Sequence, residues 1–230
     1  MGLLAVAAAA QVGMPLPGHG IALVIAFLVI SLGIHEAAHG WVALQCGDPT
    51  ARDLGRITLN PIAHIDPFMT VILPAVLALT GGMIFGGAKP VPVSYNRLRH
   101  PLRDMALVAL AGPASNLVLA AVFLVALKAA HVSGNWEAGA LLPGVLAHCV
   151  YFNLLLTVFN LLPIPPLDGS RVMTWLLPEG LREPYVALER FGLILVVILV
   201  LMVPPVNAML SGAITGLWSA LDALTGGPWG

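Results

Sequence analysis

The sequence predicts an all-α polytopic membrane protein with a three-helix core, a re-entrant segment and flanking helices. Composition is the first observation: 59% of the 230 residues are hydrophobic, 9% are charged and the mean hydropathy is +0.94. These values exclude a soluble fold. The second observation is a series of apolar stretches, and the third is a grouping of the basic residues into three connections between them. No basic tract rich in aromatic residues occurs, so nucleic acid is not an expected partner.

Five apolar stretches follow an apolar opening at residues 3–12. They cover residues 20–46, 67–85, 105–130, 140–162 and 191–204, and the last can continue to 221. A spanning helix needs about 20 apolar residues, so we expect the opening to be a partial span, a re-entrant piece or an interfacial helix. No Lys or Arg precedes Arg52, so we do not expect this opening to be a cleaved secretory signal.

We predict a single transmembrane domain over residues 1–230. Its motif-bearing core covers residues 20–175, and a C-terminal helical region covers residues 190–221.

The first long stretch contains His35, Glu36 and His39 in the pattern HEAAH. On a helix, histidines four residues apart lie on one face, so both rings can bind one metal ion. Glu36 follows the first histidine and can meet a metal-bound water. An ionisable group at the centre of a membrane helix costs roughly 2.5–3.5 kcal/mol, a cost that a functional site justifies. The alternative is a buried histidine satisfied by its neighbours, with a glutamate that reaches water from the helix end.

The basic residues predict the topology. Nine of the ten Lys and Arg residues lie in connections at 52–56, 89–103 and 171–190, and only Lys128 lies elsewhere. Under the positive-inside rule all three connections are cytoplasmic. Two consecutive connections on one side imply that residues 67–85 enter and leave the membrane by the same face, and Pro74 and two Gly-Gly pairs suit such a broken segment. The alternative is a plain span with one misplaced connection.

A candidate third ligand follows the stretch at 140–162. A catalytic zinc site usually has three protein ligands and one open position. Asp168 lies in the segment NLLPIPPLDGSR of residues 160–171, where three prolines prevent regular helical hydrogen bonding. This arrangement predicts Asp168 at the same membrane side as His35 and His39. The alternative is that Asp168 caps a helix beginning near Gly169, but beside HEAAH we expect it to bind a metal.

Together these segments resemble the site-2 proteases, which are intramembrane zinc metalloproteases. The resemblance rests on HEAAH, on AGPASN at 111–116 and on NLLPIPPLDGSR at 160–171. NPIAHIDP at 60–67 and GGAKPVPVSYNRLRHP at 86–101 are similar to the short bacterial and archaeal branch without PDZ or CBS domains. The resemblance implies a catalytic core in which His35, His39 and Asp168 bind one zinc ion and Glu36 is the acid/base. It also implies that Asn160 positions the substrate or its oxyanion, although an asparagine in an apolar helix can instead bond to nearby backbone.

The resemblance further implies hydrolysis of peptide bonds within a prokaryotic plasma membrane, near its cytoplasmic face. The expected substrate is a single-span membrane protein or peptide, and the oligomeric state stays open. Two other classes compete with this interpretation. A metal transporter would need several sites along a path, whereas this chain concentrates its polar residues at one. An inactive membrane scaffold would be expected to lose Glu36 or a ligand, and all are present.

Three neighbouring groups have two interpretations each. His64 and Asp66 are expected to shape a loop by hydrogen bonding, with contact to the active site as the alternative. The extended segment at 89–95 either lines the site, where it can pair with an unwound substrate strand, or is a rigid connector. Asn116 lies among small residues that allow close helix packing; it can also be a hydrogen-bond partner of a metal ligand.

Overall fold

The structure, a computed structural model, describes residues 16–64, 66, 89–133, 140–192, 194–196, 198 and 203–227. Every regular element within these ranges is helical. The α-helices are α1 (Gly18–Gln45), α2 (Thr50–Asp53), α3 (Pro101–Val132), α4 (Leu141–Asn160), α5 (Asp168–Leu176), α6 (Glu179–Val186) and α7 (Pro204–Leu224). Short 3-10 helices cover Pro61–His64, Tyr95–Arg97 and Ala187–Phe191.

Helices α1, α3 and α4 are long and apolar enough to cross a membrane. They confirm the three long helices predicted from the stretches at 20–46, 105–130 and 140–162. Helix α3 starts four residues before its apolar stretch, because Pro101 suits the first position of a helix, where its missing N–H is not needed. Helix α4 stops at Asn160, shortly before Pro163, because a proline disfavours helical geometry in the residue that precedes it.

Three other predictions fall outside the described residues. These are the apolar opening at 3–12, the re-entrant segment at 67–85 and most of the loop at 131–139.

The backbone before residue 65 and the backbone after residue 88 are described, and they are hydrogen-bonded to each other. The amide of Lys89 donates to the carbonyl oxygen of His64 (2.8 Å), and the amide of Arg99 donates to that of Cys46 (3.0 Å). The connections at 52–56 and 89–103 therefore lie at one end of the helix bundle, where α1 ends and α3 begins. The charge pattern likewise predicts both connections on one side, while their cytoplasmic location and the re-entrant course of residues 67–85 stay predictions.

Helix α3 is the centre of the bundle and packs against α1, α4 and α5. Leu124 and Leu127 of α3 and Leu154 of α4 are fully buried, and Trp218 of α7 packs on the same cluster. Helix α7 is also joined to α3 by Lys128, the basic residue outside the three connections. Its ammonium group lies 2.8 Å from a carboxylate oxygen of Asp222, and both side chains are almost fully buried. His35, His39 and Asp168 lie toward the opposite end of the bundle.

Candidate metal centre

His35 and His39 lie one turn apart on α1, and both are buried. Their Nε2 atoms are 3.0 Å apart. Asp168, the first residue of α5, brings its Oδ2 atom to 3.2 Å from the Nε2 of His35 and 3.4 Å from that of His39. Among the described residues, these three form the group of His, Cys, Asp or Glu side chains that could hold a metal, with all ligand atoms within 4.8 Å of one another.

The connection between α4 and α5 brings Asp168 to the histidines. Helix α4 ends at Asn160, and the proline-containing turn that follows leads directly into α5. Gly169 allows this close approach, because a Cβ atom at that position would collide with the carbonyl groups of Leu161 and Leu162. The start of α5 therefore packs on the turn that follows α4, with Asp168 close to the histidines of α1.

Hydrogen bonds to the far side of each ring determine which ring nitrogens carry protons. The Nδ1 of His35 lies 2.7 Å from the Oδ1 of Asn116, and the Nδ1 of His39 lies 2.7 Å from the carbonyl oxygen of Val108. Both partners are acceptors, so each neutral ring has its proton on Nδ1 and a lone pair on Nε2. The two Nε2 atoms thus converge with the Oδ2 of Asp168, which is buried and has no hydrogen-bond partner. Three acceptors that face one another without a donor fit a cation.

Gly112 of α3 leaves space beside these acceptors. A Cβ atom at residue 112 would lie 2.5 Å from the Nε2 atoms of both His35 and His39. The missing side chain therefore leaves room for a bound ion next to the two rings. Two imidazoles and one carboxylate are also a ligand set that zinc accepts.

Asp168 is charged at neutral pH. Burial acts to raise the pKa of its carboxyl group, but whenever the rings of His35 and His39 carry a proton on Nε2, their hydrogen bonds and charge outweigh burial and lower the pKa to about 2. A carboxylate must be deprotonated to bind a metal, so this state suits ligation.

Glu36 is half-buried beside the histidines and contacts the extended segment at 89–94. The backbone amide of Val91 donates to the Oε2 of Glu36 (2.7 Å). Val91 is itself buried, and its Cγ1 packs so closely on Gly40 of α1 that a Cβ atom there would lie 3.1 Å away. Of the two interpretations of this segment, the structure supports the one in which it lines the site.

Asp48 anchors the other end of that segment. Its carboxylate accepts hydrogen bonds from the backbone amide of Ser94 (2.6 Å) and from the backbone amide and hydroxyl group of Thr50. Burial acts to raise the pKa of Asp48, but these hydrogen bonds outweigh it and hold the pKa below its usual value. The segment is therefore fixed against the end of α1 close to Glu36.

Asn160 lies at the last turn of α4, where its side-chain amide donates to the carbonyl oxygen of Leu156 (3.0 Å). This is the backbone contact that the sequence left open as an alternative, and a role in substrate positioning stays a prediction. The Nε2 of His64 donates to the carbonyl oxygen of Thr58 (2.9 Å), as expected of a residue that shapes a loop. Among the described residues, the group of potential metal ligands includes neither His64 nor Asp66.

Sequence reasoning missed several polar partners in the bundle. Asn153 of α4 and Ser31 of α1 are buried and hydrogen-bonded to each other, and neither was singled out. Both residues could have been found from the sequence, because polar side chains within apolar helices are rare and need hydrogen-bond partners. The backbone contacts of Val91 and Val108 carry no side-chain signal that a sequence could show.

Comparisons with known proteins agree with the chemistry of this centre. A model of peptidase family M50 matches residues 23–135 and 129–203. Two relatives, YwhC and Rip2, both carry the name "Putative zinc metalloprotease". The chain is 40% identical to YwhC of Bacillus subtilis over 199 residues, which are 85% of this chain and 84% of YwhC. It is 34% identical to Rip2 of Mycolicibacterium smegmatis over 187 residues, which are 80% and 68% of the two chains.

Rip2 of Mycobacterium tuberculosis strain H37Rv is 30% identical over 211 residues, which are 91% of this chain and 78% of that protein. No solved structure matches the chain.

Proposed function

Because the chain belongs to peptidase family M50, the site-2 protease family, and is a zinc metalloprotease of that type, we propose that it cleaves membrane-embedded substrate helices near the cytoplasmic face. The chain is an integral membrane protein, and three helices among its described residues are able to cross the bilayer. The observation that carries the proposal is the convergence of His35 Nε2 and His39 Nε2 of α1 with Asp168 Oδ2 of α5. We assign one zinc ion per chain to these three ligands.

A zinc ion held by these residues would act as a Lewis acid, which would lower the pKa of a water molecule and polarise the carbonyl group of the substrate. Glu36, next to His35 in the chain, accepts the proton of the attacking water and delivers it to the leaving amine. The Val91 amide holds the Oε2 of Glu36, which leaves Oε1 to carry the proton. Asn116 and the Val108 carbonyl keep the protons of the two imidazoles on Nδ1, so that both Nε2 lone pairs face the metal.

The cytoplasmic location follows from charge. The end of the bundle that carries the connections at 52–56 and 89–103 lies next to the site, and cytoplasmic connections are enriched in Lys and Arg. His39 precedes the end of α1 by six residues, or roughly 9 Å at the helical rise of about 1.5 Å per residue. Water therefore reaches the centre most directly from this end.

The proposed substrate is a single-span membrane protein or peptide. The backbone of a membrane helix is fully hydrogen-bonded, so a substrate must unwind locally before its carbonyl group can reach the site. The extended segment at 89–94 next to Glu36 is the part of the chain suited to contact an unwound substrate. The role of Asn160 in holding the substrate belongs to the same proposal.

Glu36→Gln tests the function directly. This variant and the wild type are purified for zinc analysis and co-expressed with a tagged single-span membrane protein. We expect Glu36→Gln to retain zinc and to lose proteolysis by about 10²- to 10⁴-fold, because only proton transfer is removed. A wild-type protein without zinc, or a Glu36→Gln variant that cleaves at the wild-type rate, would refute the proposal. The inactive variant can also retain its physiological substrate during purification, which would identify it.

A further inference from the structure

Three buried polar side chains, one on each of the described membrane-crossing helices, lie in contact within the bundle. They are Ser31 of α1, Asn116 of α3 and Asn153 of α4, and none is more than 1% exposed. Burying an amide among apolar residues is costly unless its hydrogen-bonding groups find partners. Here these partners are one another, together with His35.

Hydrogen bonds connect His35 to Asn116, Asn153 and Ser31 in that order, and we call these four side chains the relay. It begins and ends on α1, because Ser31 lies one turn before His35. The Nδ1 of His35 donates to the Oδ1 of Asn116 (2.7 Å). The Nδ2 of Asn116 donates to the Oδ1 of Asn153 (3.3 Å), and the Nδ2 of Asn153 donates to the hydroxyl oxygen of Ser31 (3.2 Å). A second hydrogen bond from Nδ2 of Asn153 to the carbonyl oxygen of Cys149 (2.9 Å) fixes that amide further.

The hydrogen bonds of the relay have a fixed donor-to-acceptor direction. Asn116 can donate to Asn153 only when its NH₂ group faces α4, and its oxygen then faces His35. An oxygen at that place requires the proton of His35 on Nδ1, which leaves the lone pair on Nε2. The orientation of Asn153 therefore determines the orientation of Asn116, and through it the tautomer of His35.

His39 differs from His35 in this respect. Its Nδ1 faces the backbone carbonyl of Val108, an acceptor that cannot turn to offer a donor. The tautomer of His39 is thus determined by the helix itself, whereas that of His35 depends on side chains. An asymmetry of this kind makes the relay testable by side-chain substitution.

We propose that Asn153 and Ser31 are positioning residues of the metal centre, which act through Asn116 to hold His35 with Nε2 available for the metal. The inference rests on the proposed function only in assigning zinc to His35. The relay also links the rotation of all three membrane helices to the geometry of one ligand. A relative rotation of α3 or α4 would break the relay and release His35.

The first test uses the metal-free protein, in which ¹⁵N NMR of labelled histidines reports the tautomer of each ring. The His35 signal is identified by its absence in His35→Gln. We expect the Nδ1–H form in the wild type and a shift toward the Nε2–H form in Asn116→Leu and Asn153→Leu. Thr157→Val is the matched control, because Thr157 is also buried and its hydroxyl group donates to the backbone carbonyl groups of Pro113 and Asn153, and not to a side chain of the relay.

The second test measures zinc affinity by competition with a chelator. Loss of a hydrogen-bond partner of a metal-bound histidine typically lowers metal affinity by about 10- to 100-fold, and we expect this for Asn116→Leu. Asn153→Leu should lower it by a smaller factor and Thr157→Val should leave it unchanged. Asn116→Asp should recover part of the affinity, because it retains an acceptor for His35. If Asn153→Leu does not fold, Asn153→Ala and Ser31→Ala, which only remove atoms, take its place with the same expected direction.

Two results would overturn the relay. One is an unchanged His35 tautomer and zinc affinity in folded Asn116→Leu and Asn153 variants, and the other is an equal change in Thr157→Val, which would indicate a general packing effect. Failure of the proposed function gives a different pattern. A wild-type protein that binds no zinc but shows the Nδ1–H form of His35, lost in the Asn116 and Asn153 variants, would refute the zinc assignment and support the relay.

Discussion

Gly112→Ala is expected to damage the metal centre without damaging the fold. The added Cβ would lie 2.5 Å from the Nε2 atoms of His35 and His39, whereas ordinary contact begins at 3.4 Å. Each ring would have to move by about 0.9 Å, the difference between these distances. Neither ring can move freely, because each Nδ1 is held at 2.7 Å by its acceptor.

The expected loss follows from this displacement. Metal–ligand distances tolerate deviations of only about 0.2 Å, and a misplacement of about 1 Å at a catalytic centre can cost roughly 100-fold in rate. We therefore expect proteolysis to fall by at least about 100-fold and zinc affinity to fall with it. Helix stability should not fall, since alanine favours a helix by about 0.5–1 kcal/mol over glycine.

Chelator competition, cleavage of a co-expressed substrate and thermal unfolding measure these three quantities on one preparation. Gly212→Ala and Gly216→Ala in α7 are matched controls, because both make the same change in a helix with no atom within 4 Å of the new Cβ. They should retain wild-type zinc affinity and turnover. Wild-type zinc binding and turnover in Gly112→Ala would refute the argument that this glycine leaves room for the ion.

The remaining predictions concern the third ligand, the segment beside Glu36 and the topology. Asp168→Ala should lower zinc retention, measured by metal analysis after dialysis, as well as turnover; unchanged values would exclude its carboxylate as a ligand. Val91→Pro removes the amide that holds Glu36 and should lower turnover by about 10-fold or more with zinc retained; full activity would show that this hydrogen bond is dispensable. Cysteines placed singly near Asp53 and Asn96, in a background without native cysteines, should both resist an impermeant thiol reagent applied outside cells, whereas one near Asn135 should react. Labelling near Asn96 with protection near Asp53 would show that residues 67–85 cross the membrane fully.

Much of the fold could be read from the chain itself. Long apolar stretches predict helices α1, α3 and α4, because hydrophobicity and length are properties of a segment and need no knowledge of its neighbours. The resemblance to the site-2 proteases is confirmed by the family match and the relatives. Local patterns also indicated His35, Glu36 and His39, since ligands one helical turn apart share a face whatever the helix packs against.

The role of Asp168 could be predicted from the sequence only in part. Its chemistry and the prolines before it made it a candidate, but its approach to the histidines depends on how closely α5 packs on the turn that follows α4. This close packing requires glycine at position 169. The sequence shows the glycine, but it does not show which groups the glycine packs against.

By itself, the sequence determined the membrane class, the long apolar helices α1, α3 and α4 and the residue types able to bind a metal. Only the tertiary structure decided which groups complete the centre: the Val108 carbonyl, the Val91 amide, the space beside Gly112 and the relay through Asn153. Backbone donors and acceptors occur at nearly every residue, so their sequence carries no information about which ones are used. Their partners are selected by the rotation and depth of each helix, and these depend on packing between segments distant in the chain.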